Sequence, residues 1–202
     1  ITEEDEPSWD SPWGPGRPGW SIECTAMSVT HLGTQIDIHG GGSDLKFPHH
    51  ENEIAQAESF TNAVPFCGWW THNGMMKLDG VKMSKSLGNL ILARVLMETY
   101  DPDHLRLYLL STHYREDGDY SDGDLAQLLD RFERLRTVAA QASSNGSTPG
   151  QVAAEFTEAM DDDLDTPSAL DLLDAAARRV LSGTANDASA SDIRSSLATL
   201  GF

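Results

Sequence analysis

The sequence predicts an α/β fold that is followed by an α-helical bundle. In the first half of the chain, two apolar segments of strand character, 35–39 and 69–76, alternate with segments of helical spacing. After about residue 120 the strand signals stop, and amphipathic helical segments follow one another. Alternating strands and helices are typical of α/β folds, whereas consecutive amphipathic helices indicate a bundle.

The first elements follow from local residue chemistry. Residues 1–19 predict a loop, because prolines restrict the backbone there and glycines free it. A helix is predicted over 22–32, and the strand 35–39 is expected to end in the run 40–42, which is all glycine. Residues 49–60 predict a second helix, since Pro precedes them and apolar residues recur at helical spacing.

The strand 69–76 is followed by a turn at Asp79-Gly80. Residues 87–100 contain a helix that Asp101-Pro102 closes, and 104–111 continue as an apolar helix.

A long amphipathic helix is predicted over 124–142. Its apolar stripe consists of Leu125, Leu128, Leu129, Phe132, Leu135 and Val138. The segment 143–150 is rich in Ser, Gly and Pro and predicts a linker. Helical segments follow at 151–160, 167–182 and 190–200, and the sequence contains no internal repeat.

Length and composition bound the class of protein. A chain of 202 residues suits one large domain or two small ones. No apolar run approaches a membrane span, and the acidic N-terminus lacks the features of a signal peptide, so we expect no membrane partner. Two cysteines do not make a disulfide framework, which favours a reducing, cytoplasmic compartment.

The charge of the chain is strongly negative, with a formal value of -18 from 32 acidic and 14 basic residues. Only four of the basic residues are lysine, and the acidic residues are spread along the whole length. This pattern predicts a halophilic source, because concentrated salt screens the repulsion among like charges. The alternative is an ordinary acidic protein. A stability that does not change between dilute buffer and molar KCl would favour that alternative.

The segment Lys82-Met83-Ser84-Lys85-Ser86 is the sharpest functional signal. Two of the four lysines lie within it, and ammonium groups on a short loop can follow charge as it moves along a polyphosphate. The alternative is a solvated basic turn. In so acidic a chain, the clustering favours phosphate binding.

A metal-ligating set is the second signal. His49 and Glu53 lie four residues apart on a predicted helix, and Cys24 and His50 are further candidates. Thiolate, imidazole and carboxylate together suit zinc. The alternative is a buried cysteine, a histidine at a helix start and a surface glutamate.

Six other residues offer weaker signals for a ligand pocket. The glycines 40–42 permit close backbone approach, and Asp44 could accept from ribose hydroxyls. His39 at a strand end and Trp20 beside Cys24 could equally be core residues.

These motifs together resemble cysteinyl-tRNA synthetases, which are class I aminoacyl-tRNA synthetases. The resemblance covers nearly the whole chain, in the runs Ser11–Trp20, Ile22–Cys24, Asp37–Leu45, Phe47–Glu53, His72–Met75, Lys82–Ser86, His113–Arg115 and Met160–Pro167.

The resemblance implies a fold, an activity and roles for residues. It implies the second half of a Rossmann-like (HUP) nucleotide-binding fold over 1–100, a stem-contact helical region over 101–142, the linker 143–150 and part of a helical anticodon-binding (DALR-type) domain over 151–202. The implied activity is formation of cysteinyl-adenylate from L-cysteine and ATP with Mg²⁺, then transfer to tRNA(Cys), by a monomer that carries one zinc ion.

Site roles carry over to matching positions. Cys24, His49 and Glu53 match three ligands of the family's zinc ion, and that ion binds the sulfur of the cysteine substrate. Lys82 and Lys85 match the catalytic lysines that stabilise the ATP phosphates, and Ser84 lies in the same ATP-binding loop. The glycines Gly40, Gly41 and Gly42, with Asp44, match the adenosine-binding region, and Trp20 and His39 match the amino-acid pocket.

The sequence also departs from the family pattern. Ser21 stands where the family commonly has histidine, and neither the HIGH motif nor the fourth zinc ligand, a cysteine, is found. We therefore expect an incomplete fragment that is inactive in cysteine activation when isolated. Two alternatives remain: the related cysteine ligase of mycothiol synthesis, and a catalytically inactive fragment that binds tRNA or a partner. The complete run 49–53 and the helical segment 151–202 favour the synthetase over the mycothiol ligase.

Overall fold

A computed structural model describes residues 7–142, 149–185 and 187–202. The chain divides into two compact units, Ile1–Asn73 and Gly74–Phe202. Most of the predicted linker, residues 143–148, lies outside the described residues.

The first unit is built around a β-α-β crossover. Helix α1 (Trp20–His31) precedes strand β1 (Ile36–Gly42), and helix α2 (Glu51–Thr61) connects β1 to strand β2 (Cys67–Asn73). The two strands pair in parallel from Ile36↔Cys67 to Gly42↔Asn73, as a crossover through a helix requires. Apolar side chains from the helices and strands form its core, in which Ala57, Phe66 and Cys67 are buried.

Strand β1 extends further than predicted, because it continues through Gly40, Gly41 and Gly42. A Cβ atom at Gly41 would lie 2.9 Å from Cε1 of His50 and 2.9 Å from Cδ1 of Leu45. Glycine at this position therefore lets the imidazole pack directly against the strand backbone. The triple glycine therefore forms the last three residues of the strand.

The predicted strand 69–76 is two strands. β2 ends at Asn73, and β3 (Met76–Leu78) begins a second sheet in which it pairs antiparallel with β4 (Val81–Lys82) and parallel with β5 (Gly118–Tyr120). The predicted turn at Asp79-Gly80 is confirmed: φ is 53° and 75° at these residues, the left-handed pair that a two-residue hairpin needs.

Four helices precede the linker in the second unit: α3 (Ala93–Leu96), α4 (Pro102–Leu110), α5 (Asp122–Gln127) and α6 (Leu129–Gln141). The single helix predicted over 124–142 is therefore interrupted. The interruption falls at Leu128, which lies between α5 and α6 and has a ψ of -9°.

The apolar stripe predicted for this region is largely confirmed. Leu125, Phe132, Leu135 and Val138 are buried. Leu129, by contrast, is 45% exposed and starts the second helix.

Three further helices complete the bundle: α7 (Gln151–Asp161), α8 (Thr166–Leu181) and α9 (Asp187–Thr199). They confirm the three predicted C-terminal helical segments to within a few residues at each end. The core that they share with α4 and α6 contains Leu107, Phe132, Leu135, Val138, Val152, Phe156, Leu170, Leu173, Ile193 and Leu197. Every helix in the described part of the chain is too short or too polar to span a bilayer.

Replacing Leu173 by alanine should destabilise the bundle. Leu173 is fully buried at the centre of this core, so Leu173→Ala should lower the free energy of unfolding by about 2–5 kcal/mol. Chemical denaturation followed by circular dichroism measures the change. Leu181→Ala, on the same helix but 48% exposed, is the matched control; equal losses in both variants would contradict this placement of the core.

Candidate metal and nucleotide site

Helices α1 and α2 bring Cys24, His49 and Glu53 together. Their Sγ, imidazole nitrogen and carboxylate oxygen all lie within 4.8 Å of one another, and His49 and Glu53 are buried. His49 precedes α2 by two residues and keeps helical geometry, so it and Glu53 project one turn apart on one face. The sequence spacing predicted this juxtaposition.

The carboxylate of Glu53 is the most constrained group of the cluster. Its side chain is 0% exposed. Oε2 lies 2.7 Å from Nε2 of His39, whereas Oε1 has no hydrogen-bond partner and lies 3.8 Å from Nε2 of His49. A buried carboxylate oxygen without a partner is costly unless a cation compensates it. Because the donor set is thiol, imidazole and carboxylate, zinc fits this position.

Ser21 orients the candidate ligand His49. Its Oγ lies 3.0 Å from Nδ1 of His49, so the other ring nitrogen, Nε2, is the one that faces Glu53. Outer partners of this kind fix the tautomer and the direction of a metal-binding histidine. Ser21, the position that departs from the family pattern, thus keeps a hydrogen bond to the site.

Without a cation, the thiol of Cys24 is disfavoured as a thiolate. Burial, and after it the negative charge of Glu53, raises the pKa of Cys24 above its usual value. A bound divalent cation reverses this trend because it stabilises the thiolate directly.

Two further histidines belong to the cluster, and sequence reasoning gave one of them no role. Nδ1 of His50 lies 2.8 Å from Nε2 of His72. Burial, and then the neighbouring histidines, lower the pKa of His50 to about 4, so this imidazole is neutral. His72 is brought here by strand pairing with Gly41, and the sequence carries no signal for that register.

His39, His50 and Glu53 form a second set of potential ligands within 4.8 Å. In this set, His39 already bonds Oε2 of Glu53. The unpartnered oxygen faces the set with Cys24 and His49, which makes that set the better candidate.

Two of the predicted pocket residues lie beside the candidate metal site. A cavity of about 560 Å³ is lined by Trp20, Asp44 and His49. The ring of Trp20 is 60% exposed and its centroid lies 4.4 Å from that of His49. The structure therefore brings the predicted amino-acid, ribose and metal residues to one opening.

The lysine loop lies in the second unit and is braced by a residue without a predicted role. Ser84 N donates to Oδ1 of Asn89 at 2.9 Å, and Nδ2 of Asn89 donates to the carbonyl of Lys82 at 3.2 Å. Lys85 is exposed, and Gly88 has a φ of 67° in the turn that returns the chain to Asn89. The Gly88-Asn89 pair is a common turn signal and was the feature of the sequence that could have predicted this turn.

The family described as tRNA synthetases class I (C) catalytic domain matches residues 1–130. The chain belongs to this family. It is 48% identical over 182 residues to a cysteine–tRNA ligase of Shewanella loihica, and 46% identical over 198 residues to one of Escherichia coli. These matches cover 89% and 97% of this chain but 39% and 43% of the relatives, so the chain spans about two fifths of their length.

The fold comparison agrees with the family. A chain from the ternary complex of Agrobacterium radiobacter LeuRS with tRNA and LeuAMS has a TM-score of 0.60 at 18% identity, over 81% of this chain and 25% of that one. This likeness confirms the predicted class I synthetase fold, and the family match and the relatives above confirm the family resemblance.

Arginines form the main basic clusters of the chain, and most of them pair with acidic side chains. Arg131, Arg134 and Arg136 on α6 and Arg178 on α8 each pair with an aspartate or glutamate, as in Arg134 Nε to Asp174 Oδ1 at 2.6 Å. Such pairing indicates that these side chains balance neighbouring acidic groups. Arg179 is exposed.

Removal of one candidate ligand should reduce metal content. We expect Glu53→Gln and His49→Ala to lower the zinc content of the native protein from about one ion to a small fraction, since each removes one of three protein ligands. Metal analysis after dialysis measures it. His31→Ala, which alters an exposed histidine at the end of α1, is the matched control; full zinc in both ligand variants would contradict the assignment.

Proposed function

We propose that the native protein is a cysteine–tRNA ligase, which forms cysteinyl-adenylate from L-cysteine and ATP and transfers the cysteinyl group to tRNA(Cys). The observation that carries the proposal is the unpartnered, fully buried oxygen of Glu53 beside Cys24 and His49. Membership of the class I family and the similarity to cysteine–tRNA ligases support it.

The selectivity for cysteine rests on Cys24, His49 and Glu53, which would hold one zinc ion. When bound, zinc supplies a coordination position that takes a thiolate sulfur far better than a hydroxyl oxygen. His39 and Ser21 keep Glu53 and His49 in place through their hydrogen bonds. Trp20 forms a wall of the adjoining cavity. Selection of this kind discriminates against serine without a separate editing site.

No side chain needs to act as a nucleophile. The cysteine carboxylate attacks the α-phosphorus of ATP, the bond to the β-phosphate oxygen breaks, and pyrophosphate leaves with its Mg²⁺. A hydroxyl of the terminal ribose of tRNA then attacks the carbonyl of the mixed anhydride, the bond from the carbonyl carbon to the phosphate oxygen breaks, AMP leaves, and the hydroxyl proton is released. The rate therefore depends on how the protein positions the substrates and compensates the charge of the transition state.

We propose that the remaining predicted residues bind ATP. We assign Lys82 and Lys85 to the phosphates, because both are cations on a short exposed loop that Ser84 and Asn89 brace. The segment Gly40–Gly42 and Asp44 are assigned to adenosine. Asp44 lines the cavity that Trp20 also lines.

We also propose a cellular compartment for the protein. Cys24 and Cys67 are free thiols, which suits a reducing, cytoplasmic compartment. A monomeric state and a halophilic source stay predictions.

Cysteine-dependent exchange of pyrophosphate into ATP tests the function in the native protein. We expect exchange with cysteine and at least about 10²-fold less with serine, since discrimination rests on the sulfur ligand. Charging of tRNA(Cys) should follow. Ligation of cysteine to an amino sugar in place of tRNA would contradict the proposal and support the mycothiol-pathway relative.

The lysine loop should act on the chemical step. Lys85→Ala should leave the KM for cysteine nearly unchanged and slow adenylate formation by about 10²-fold or more, because it removes one charge that stabilises the transition state. Lys82→Ala should be less severe. Pre-steady-state kinetics of adenylate formation measures both.

Arg94→Ala is the control, since it removes an exposed cation from the nearby helix α3. A loss in Arg94→Ala as large as that in Lys85→Ala would mean that overall charge, and not the loop, determines the rate.

A further inference from the structure

The turn between α7 and α8 contains two successive non-glycine residues in the left-handed region. Asp163 has a φ of 55° and Leu164 a φ of 59°. Residues other than glycine, asparagine and aspartate rarely adopt this backbone conformation, which is unfavourable for them. Asp163 and Leu164 are both exposed, so core packing does not explain why the strained turn persists.

The contacts of Asp163 provide a reason. Three successive residues of a distant segment bond to it: Nε2 of His113 to its carbonyl at 3.1 Å, the hydroxyl of Tyr114 to Oδ1 at 2.7 Å, and Nη2 of Arg115 to Oδ1 at 2.8 Å. Arg115, and then Tyr114, lower the pKa of Asp163 to about 2. The carboxylate is therefore ionised at any working pH, and the turn clamps the segment 113–115.

The clamped segment in turn holds the base of the β3–β4 hairpin. Gly74 N donates to the carbonyl of Tyr114 at 2.7 Å, and Met75 N donates to Oδ1 of Asp117 at 2.7 Å. A Cβ atom at Gly74 would overlap the carbonyl of Glu116, so the two backbones are in direct contact. Strand β5, which follows immediately, pairs with β3 over its whole length.

The hairpin carries the lysine loop. Gly80 N at its tip donates to Oδ2 of Asp119 at 2.8 Å, and Met83 N donates to the carbonyl of Met76 at 3.0 Å. Lys82 is the last residue of β4, and Lys85 follows three residues later. A continuous set of hydrogen bonds therefore runs from Asp163 through 113–119 to the loop 82–86.

We propose that Asp163 is a positioning residue for the lysine loop, which it acts on through residues 113–115 and the β3–β4 hairpin. The inference rests on the proposed function insofar as the loop serves ATP. The ion pair between Arg115 and Asp163 is about half exposed, with side chains 51% and 45% accessible. Exposed pairs contribute little to global stability, so loosening the clamp should change the position of the loop without unfolding the chain.

Asp163→Gly is the sharpest variant, because glycine accepts the left-handed backbone and only the side-chain contacts disappear. Leu164→Gly is the matched control, since it relieves the same kind of strain in the same turn at an exposed side chain. Asp163→Asn is the conservative variant: asparagine tolerates the backbone conformation and can accept from Tyr114, but it lacks the charge.

Two measurements in the native protein decide the matter. In Asp163→Gly, we expect hydrogen exchange over 74–84 to become about 10-fold faster or more, while exchange in α8 and the melting temperature stay unchanged. Adenylate formation should slow by about 10-fold to 10²-fold with an unchanged KM for cysteine. Asp163→Asn should lie between the native protein and Asp163→Gly, and Leu164→Gly should match the native protein.

The outcomes separate this inference from the proposed function. Native exchange over 74–84 in Asp163→Gly would overturn the positioning role, and so would faster exchange with an unaltered rate of adenylate formation. Absence of any cysteine-dependent adenylate in the native protein would instead overturn the function, and hydrogen exchange would still report whether Asp163 holds the hairpin. A loss of equal size in Leu164→Gly would assign the effect to the turn backbone and also overturn the inference.

Discussion

The burial of the Glu53 carboxylate is the constraint around which the first unit is organised. A carboxylate with no solvent contact must be compensated from within, and the surrounding residues are arranged accordingly. His39 on β1 bonds one oxygen, His49 just before α2 lies near the other, and Cys24 on α1 belongs to the same cluster. The helix pair, the strand and the glycine run therefore serve one polar centre, because each contributes a group or makes room for one.

In the second unit, the main constraint is to fix the position of the exposed lysine loop. The lysine loop has few buried side chains, so apolar packing fixes it only weakly. Backbone hydrogen bonds and carboxylates are used in place of packing: Asp117 and Asp119 bond the hairpin, Asn89 bonds the loop, and Asp163 bonds the segment behind them. Some of the many acidic side chains of this protein therefore have specific structural roles.

The sequence predicted those features whose cause is local. Helical spacing located α1, α2 and the bundle helices, and the i, i+4 relation placed His49 and Glu53 on one face. The Asp79-Gly80 turn followed from residue chemistry. What escaped prediction depends on distant pairing: the register that brings His72 to His50, and the contact of Asp163 with a segment about fifty residues earlier. Strand β1 runs three residues past His39, because Gly40, Gly41 and Gly42 also pair with β2.

The close fit between Gly41 and the ring of His50 has an evolutionary consequence. Since a β-carbon at position 41 would meet that ring, the two positions are not free to vary one at a time. A larger residue at 41 would have to displace the side chains of both His50 and Leu45, and with His50 its bond to His72. The pair should therefore drift together across related genes, and its joint changes would trace where the histidine cluster was rebuilt.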